Sequence, residues 1–355
     1  MSEIVLIGDI ALGGIISKEP GENGERYSRI IPLLQKKDTL VFANLEIPVG
    51  NDGIRNEYKK HIHYSLHGPT RDMLRLLNIS CVSLANNHIY DCKMEGLKAT
   101  VELLDDLSIS HTGAGWKSEH VAPVIIEKNG LKVGFIAYVS RSTNPGTSQF
   151  PELLINYFEP VKVIDDIKSI RTRVDILICS IHWGIDYSYY PASEQLKTAR
   201  ELVDYGADII MGHHSHTLQP FEKYKNGYIF YSLGSFTFGD YIREGKKELQ
   251  SLFRKTKRSV IINYSFSGNN IKVVSTKELT GNYIIIDENR DYIKWSDRKW
   301  IHYKIKNSSA FFKTIYNFNE KVLYRIYEYF FGYYKNPIKR LIQVSNITKI
   351  KKLFQ

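Results

Sequence analysis

The sequence predicts an α/β layered fold over the first 240 residues, and three observations predict it. Short apolar, β-branched runs alternate with amphipathic stretches, the pattern of strands interleaved with helices. Most of the runs end in polar residues of kinds that carry chemistry, where open α/β sheets place their sites. The composition, 43% hydrophobic and 24% charged over 355 residues, is that of an ordinary folded protein with a sizeable core. The chain is read as one large domain over residues 1–290 and a basic, aromatic, helical C-terminal extension over 291–355.

Residues 4–7 read as a first buried strand ending at Gly8-Asp9. A helix follows over 26–35, a strand over 39–43, a helix over 70–77 and a strand over 81–85. Residues 94–107 carry apolar side chains at helical spacing, and 121–127 and 131–139 are strands around a Lys-Asn-Gly turn. Residues 174–181 form a continuous apolar strand, 193–205 a helix closed by Gly206, and 207–211 and 229–233 further strands. The charged segment 240–258 reads as a loop or exposed helix. Alternating strands around Gly268-Asn269-Asn270 then run to residue 286 as an antiparallel sheet edge. Helices are expected over 311–329 and 337–344.

Several classes of protein are set aside. No run approaches the ~18 apolar residues of a transmembrane helix, and the start MSEIVLIGDI lacks a cationic signal-peptide flank, so a cytoplasmic protein is expected. Three cysteines, Cys81, Cys92 and Cys179, form no CxxC pair, which argues against a disulfide framework and a cysteine-built zinc site. The net charge of +10 is concentrated: residues 298–355 hold thirteen Lys and Arg against two acids, a balance of +11, which leaves residues 1–297 at −1. The basic pI therefore describes the tail and not a basic active site.

Five polar clusters stand at strand ends: Gly8-Asp9, Asn44-Leu45-Glu46, Asn86-Asn87-His88 with Asp91, His182-Trp183-Gly184, and Gly212-His213-His214-Ser215-His216. Singly, each has a structural explanation, as a helix cap, a left-handed turn residue or a satisfied core histidine. Together they call for a metal. Four of the 11 histidines fall in strand-end clusters within 35 residues, and buried imidazoles need partners for their nitrogens. Asp9 and Glu46 offer carboxylates and Asn87 an amide oxygen, a mixed set that suits Mn, Fe or Zn.

The ordered series GD, NLE, LANNHxxD, HWG, GHHSHTLQP and YSLGSF resembles the CapA family of poly-γ-glutamate capsule synthesis proteins, whose domain is similar to calcineurin-like metallophosphoesterases. The resemblance runs from Ile4 to about Phe238. It implies a four-layer α/β/β/α sandwich with one or two divalent metal ions between the sheet ends. In that pattern Asn87, His182 and His214 hold one metal, Glu46 bridges, and Asp9 with His216 holds the other. His88 is then a general acid or outer residue oriented by Asp91. Ala11 stands where the wider superfamily has a histidine, Glu46 where it has an aspartate, Asp186 where a glutamate is usual and Ser235 where an asparagine is usual. One tightly held metal is therefore the expectation, with the second position weakened.

The implied activity is metal-dependent phosphoester chemistry on an anionic polymer precursor or phosphorylated small molecule. The alternative is a non-catalytic accessory or transport component of a capsule assembly complex. Amide-bond chemistry ranks lower, since no GxxxxGK[ST] loop is present to hold a nucleotide. In the tail, Phe312, Tyr316, Tyr324, Tyr327 and Phe331 recur at near-helical spacing among Lys and Arg. Burial against the body is the plain explanation. The sharper one is docking on an anionic membrane surface at the inner face of the membrane. Nucleic acid is not expected, as neither an RNP-like nor a KH signature occurs, and the sequence does not tell the oligomeric state.

Overall fold

A computed structural model describes residues 3–307 except 52, 60–61, 144–146, 148–149, 240, 244–245, 249–256 and 280–282. The chain divides into two units, Met1–Asp297 and Arg298–Gln355. The expected helices over 311–329 and 337–344, with the aromatic stripe, lie outside the described residues.

The first unit is built on two sheets. In chain order the strands are β1 (Glu3–Ala11), β2 (Thr39–Leu45), β3 (Ile79–Ser83), β4 (Ser110–Thr112), β5 (Ala114–Gly115), β6 (Val124–Lys128), β7 (Leu131–Val139), β8 (Leu154–Ile155), β9 (Ile176–His182), β10 (Ile209–His213), β11 (Phe221–Tyr224), β12 (Gly227–Phe230), β13 (Ser235–Phe238), β14 (Tyr241–Arg243), β15 (Lys246–Glu248), β16 (Arg258–Ser265), β17 (Asn270–Glu278) and β18 (Ile284–Ile286). The helices are α1 (Gly14–Lys18), α2 (Asn23–Arg26), α3 (Ile31–Leu34), α4 (His67–Leu76), α5 (Lys93–Asp106), α6 (Pro160–Arg171), α7 (Ser193–Asp204) and α8 (Tyr292–Asn307). One sheet has the order β18-β17-β16-β1-β2-β3-β4 with β13 also on β1; the other has the order β11-β12-β10-β9-β7-β6.

Side-chain alternation along the strands sets the layers. Ile4 and Leu6 of β1 and Leu40 and Phe42 of β2 point to one face, where they pack with Phe135, Ile178, Met211 and Phe230 of the second sheet. Val5, Ile7, Val41 and Ala43 point the other way, against Met73 and Leu74 of α4 and Leu97, Val101 and Leu104 of α5. On the outer side of the second sheet, Gly134 of β7 lies against Ile170 of α6, and Gly227 at the start of β12 against Val203 of α7. The result is the four-layer α/β/β/α sandwich that the resemblance implied. Cys81, Cys92 and Cys179 are buried within it.

Three local readings are corrected. The first strand does not stop at Gly8-Asp9 but continues to Ala11, because β13 pairs with it in parallel, Asp9 opposite Ser235 and Ala11 opposite Phe238. The register shifts there, so Asp9 sits at a bulge-like irregularity within the strand. A Cβ on Gly8 would collide with the carbonyl of Gly234, the group that accepts the Asp9 amide at 3.0 Å. The helix expected over 26–35 is two short helices, α2 and α3: Pro32 cannot accept a place inside one continuous helix and stands in the first turn of the second. Arg26 is buried and tied to Glu19 and Glu22 at 2.7 and 2.6 Å, which closes the preceding turn. In the segment 240–258, the described parts Tyr241–Arg243 and Lys246–Glu248 pair as antiparallel strands. Charge had argued against strands there, and backbone pairing overrides it.

The strands around Gly268 are antiparallel, as expected, and form the edge β16-β17-β18 beside β1. The division of the chain after Asp297 places Tyr292 and Trp295 with the first unit, where they pack in the core shared with Phe230. Their aromatic area decides this, since each such ring brings a large apolar surface to bury.

Candidate metal centre

The parallel strands deliver their C-terminal ends to one place. Asp9 comes from β1, Asn44 and Leu45 from the end of β2 with Glu46 next, and Asn86 to Asp91 from the turn after β3. His182 ends β9 and His213 ends β10, with His214 and His216 in the turn beyond. That turn is strained: His214 has φ +86° and His216 φ +52°, in the left-handed region that costs side-chain-bearing residues about 1–3 kcal/mol each. It is held by the His214 amide on Asp9 Oδ2 at 3.3 Å and the Tyr187 amide on the Ser215 carbonyl at 2.7 Å.

Two groups of candidate ligand atoms result. In the first, Asn87 Oδ1 lies 2.9 Å from His182 Nε2, which lies 3.2 Å from His214 Nδ1. In the second, one ligand atom each from Asp9, Glu46 and His216 falls within 4.8 Å of the others. His216 Nε2 is 3.5 Å from Glu46 Oε1, and its Nδ1 is 3.8 Å from Asp9 Oδ2. The structure thus places Asn87 with His182 and His214, and Glu46, expected as a bridge, with Asp9 and His216. The imidazole missing at Ala11 leaves the second set with two carboxylates and one histidine.

Beside these sets, His88 Nδ1 donates to Asp91 Oδ2 at 2.7 Å, so Asp91 orients the ring as expected. Asp91 is fully buried and also accepts from Lys59 Nζ at 2.6 Å and from the His63 amide at 2.8 Å. Asp186, half exposed, reaches His214 Nε2 at 3.5 Å.

Electrostatics single out Glu46. It is buried, neither carboxylate oxygen accepts a hydrogen bond, and burial together with the charges of Asp9 and Asp186 pushes its pKa well up. An unpartnered buried carboxylate is costly unless a cation compensates it. Asp9 differs: burial would raise its pKa, but the nearby His213, with His216 and the Asn44 amide, outweighs it and holds it down. Burial and the neighbouring His214 push His182 well down; burial likewise lowers His216, against the pull of Asp9 and Asp186. Neutral imidazoles beside carboxylates are the state a cation requires of its ligands. The residues present therefore fit a divalent cation, and Asp9, Glu46, Asn87, His182, His214 and His216 would hold it.

Other members were not assigned from the sequence. His213 Nδ1 lies 2.7 Å from Asp9 Oδ1, and Asn44 donates to the same oxygen at 2.9 Å, so both fix the carboxylate. Asn86 in turn donates to Asn44 Oδ1 at 3.1 Å. These three lie inside the quoted motifs. Lys59 and His63 do not; they come from the irregular stretch between β2 and α4, where no periodicity marks them.

Comparison with known proteins matches residues 3–240 to the sequence model of a family described as bacterial capsule synthesis protein PGA_cap. The capsule biosynthesis protein CapA of Bacillus anthracis is 30% identical over 313 residues, covering 81% of this chain and 71% of that protein. A probable polyglutamine synthesis accessory protein of Mycobacterium tuberculosis strain H37Rv is 30% identical over 208 residues, 54% of this chain and 53% of its own length. Among solved structures, a putative 5′-nucleotidase from Staphylococcus aureus in complex with α-ketoglutarate is similar with a TM-score of 0.45 and 10% identity, over 81% of this chain and 53% of that one. With two thirds of its length matched to one family model, this chain belongs to the bacterial capsule synthesis protein family.

Proposed function

We propose that this protein is a metal-dependent phosphoric ester hydrolase serving the synthesis or modification of a capsule or other cell-surface polymer. The observation that carries the reading is the buried Glu46 carboxylate, whose oxygens accept no hydrogen bond, beside Asp9 and His216 and adjoining the convergent Asn87, His182 and His214. A divalent cation held there supplies Lewis acidity toward a phosphoryl oxygen and an attacking water. The remaining work falls to the chain's own residues. Asp91 fixes His88 through Nδ1, leaving the Nε2 lone pair to take up the proton released by the attacking water and hand it to the leaving oxygen. His213 and Asn44 keep Asp9 ionised and oriented. The substrate would be an anionic polymer precursor or a phosphorylated small molecule, and the net +11 tail would dock on an anionic membrane surface. A cytoplasmic setting at the inner face of the membrane suits both. Among the described residues no helix is long and apolar enough to cross a membrane.

The test is metal content by plasma mass spectrometry on protein purified without chelators, then turnover of a generic phosphodiester and phosphomonoester with added Mn or Fe. His88→Ala should abolish turnover and leave the fold and bound metal intact. A second reading, a non-catalytic accessory component, draws support from the M. tuberculosis relative, which is named an accessory protein. Metal bound without turnover of either ester would favour it.

A further inference from the structure

Resting on the reading of His88 as the proton-exchanging group, we propose that Lys59 is a positioning residue that locks His88 in one tautomer and ties it to the candidate metal ligand Asn87. The ammonium sits almost fully buried, with its side chain 7% exposed, against an Asp91 side chain at 0%. It donates to Asp91 Oδ1 at 2.6 Å and to the main-chain carbonyl of Asn87. Asp91 therefore has both oxygens committed: Oδ1 to Lys59, Oδ2 to His88 Nδ1 at 2.7 Å and the His63 amide at 2.8 Å.

This arrangement has a directional consequence. A carboxylate accepts only, so the His88 proton must lie on Nδ1, and Nε2 is the nitrogen left with a lone pair. Lys59 Nζ stands 3.4 Å from Nδ1, a near approach of two donors, so the ammonium acts on the ring through Asp91 and not as its partner. By grasping the Asn87 carbonyl as well, the same cation fixes the backbone that carries Asn87 Oδ1 to His182 Nε2 at 2.9 Å. One side chain from an irregular loop thus sets the orientation of two groups with different tasks.

The experiment reads the ring nitrogens of full-length, metal-free protein labelled with ¹⁵N-histidine, by long-range ¹H–¹⁵N correlation at pH 8, with His88 assigned from His88→Gln. The wild type should show His88 solely as the Nδ1–H tautomer. Lys59→Met should show a mixture of tautomers, and Lys59→Arg should restore the single form. If the Met variant does not fold, Lys59→Gln is read in the same way. With Mn and a generic phosphodiester, Lys59→Met should lower kcat at least tenfold with KM within twofold. An unchanged Nδ1–H tautomer in Lys59→Met or Lys59→Gln, or an Nε2–H tautomer in the wild type, overturns the proposal. Because the spectra need neither metal nor turnover, failure of the hydrolase reading would leave this result legible on its own.

Discussion

Replacing Glu46 by Gln should stabilise the metal-free protein while weakening its response to metal. The carboxylate is fully buried, neither oxygen accepts a hydrogen bond, and the charges of Asp9 and Asp186 act against it. Leaving a buried polar group unsatisfied costs about 1–3 kcal/mol, and more when it is charged. The amide keeps the shape and removes the charge. Metal-free Glu46→Gln should therefore gain about 1–3 kcal/mol at pH 8, a rise in Tm of roughly 2–6 °C at ~2 °C per kcal/mol for a unit above 200 residues. The pH dependence follows from the raised pKa. A carboxyl whose folded value lies above its ordinary 4.5 contributes stability that is complete below 4.5 and is lost as pH rises through the folded value. The gain from the amide should accordingly shrink as pH is lowered toward 4.5. With Mn present the gain is offset: a hundredfold loss of affinity at saturating metal removes about 2.7 kcal/mol of ligand stabilisation, which cancels nearly all of the gain or exceeds it. Differential scanning calorimetry with and without Mn reads both arms. A fall in the metal-free Tm at pH 8, with an undiminished Mn-induced rise, would show that the carboxylate is satisfied within the protein, and the reasoning would fail.

Other changes separate the parts of the site. His214→Ala removes a ligand from the first set and should lower bound Mn, Fe or Zn by at least one equivalent per chain, counted by mass spectrometry. Ser235 Oγ holds His216 Nδ1 at 3.1 Å, so Ser235→Ala should weaken Mn affinity about 10–100-fold by calorimetry with the fold unchanged. Gly8→Ala would drive a Cβ into the Gly234 carbonyl and should cost about 1–3 kcal/mol in urea unfolding. Deleting residues 300–355 should abolish sedimentation with anionic vesicles; equal binding of the truncated and full chains would end the membrane proposal.

Legibility in the sequence followed the physics of burial. Asp9, His182 and His213 are polar residues terminating or interrupting apolar runs, and a polar side chain in a buried strand needs a partner, so those positions stood out. The layers were readable because Val5, Leu6 and Ile7 show the continuous apolar run of a strand covered on both faces. Helix α6 does carry helical signals, Pro160 at its start and Val163, Ile167 and Ile170 at helical spacing, though no element is assigned there from the sequence. Strand β13 shows in the sequence only as part of the YSLGSF motif, since its pairing with β1 depends on a chain crossing between sheets that no local pattern encodes. Lys59 was invisible for the same reason: its position beside Asp91 is a property of a loop's path.

That crossing has a mechanical consequence. Asp9, Glu46 and Asn87 lie in or just after strands of one sheet, His182 and His214 at the ends of strands of the other, and the chain passes between the sheets from Phe230 to Ser235. An ion bound by both sets would be a rivet through two plates that face each other across the oily side chains of the core and meet at this rim through Asp9 and the histidines. Sliding of one plate over the other would be arrested first at the riveted rim, while the far rim, around Lys36 and Phe266, stayed free to breathe. Hydrogen exchange after loading with Mn should therefore slow at the tips of β1, β9 and β10 together, with little change at the opposite ends of the same strands.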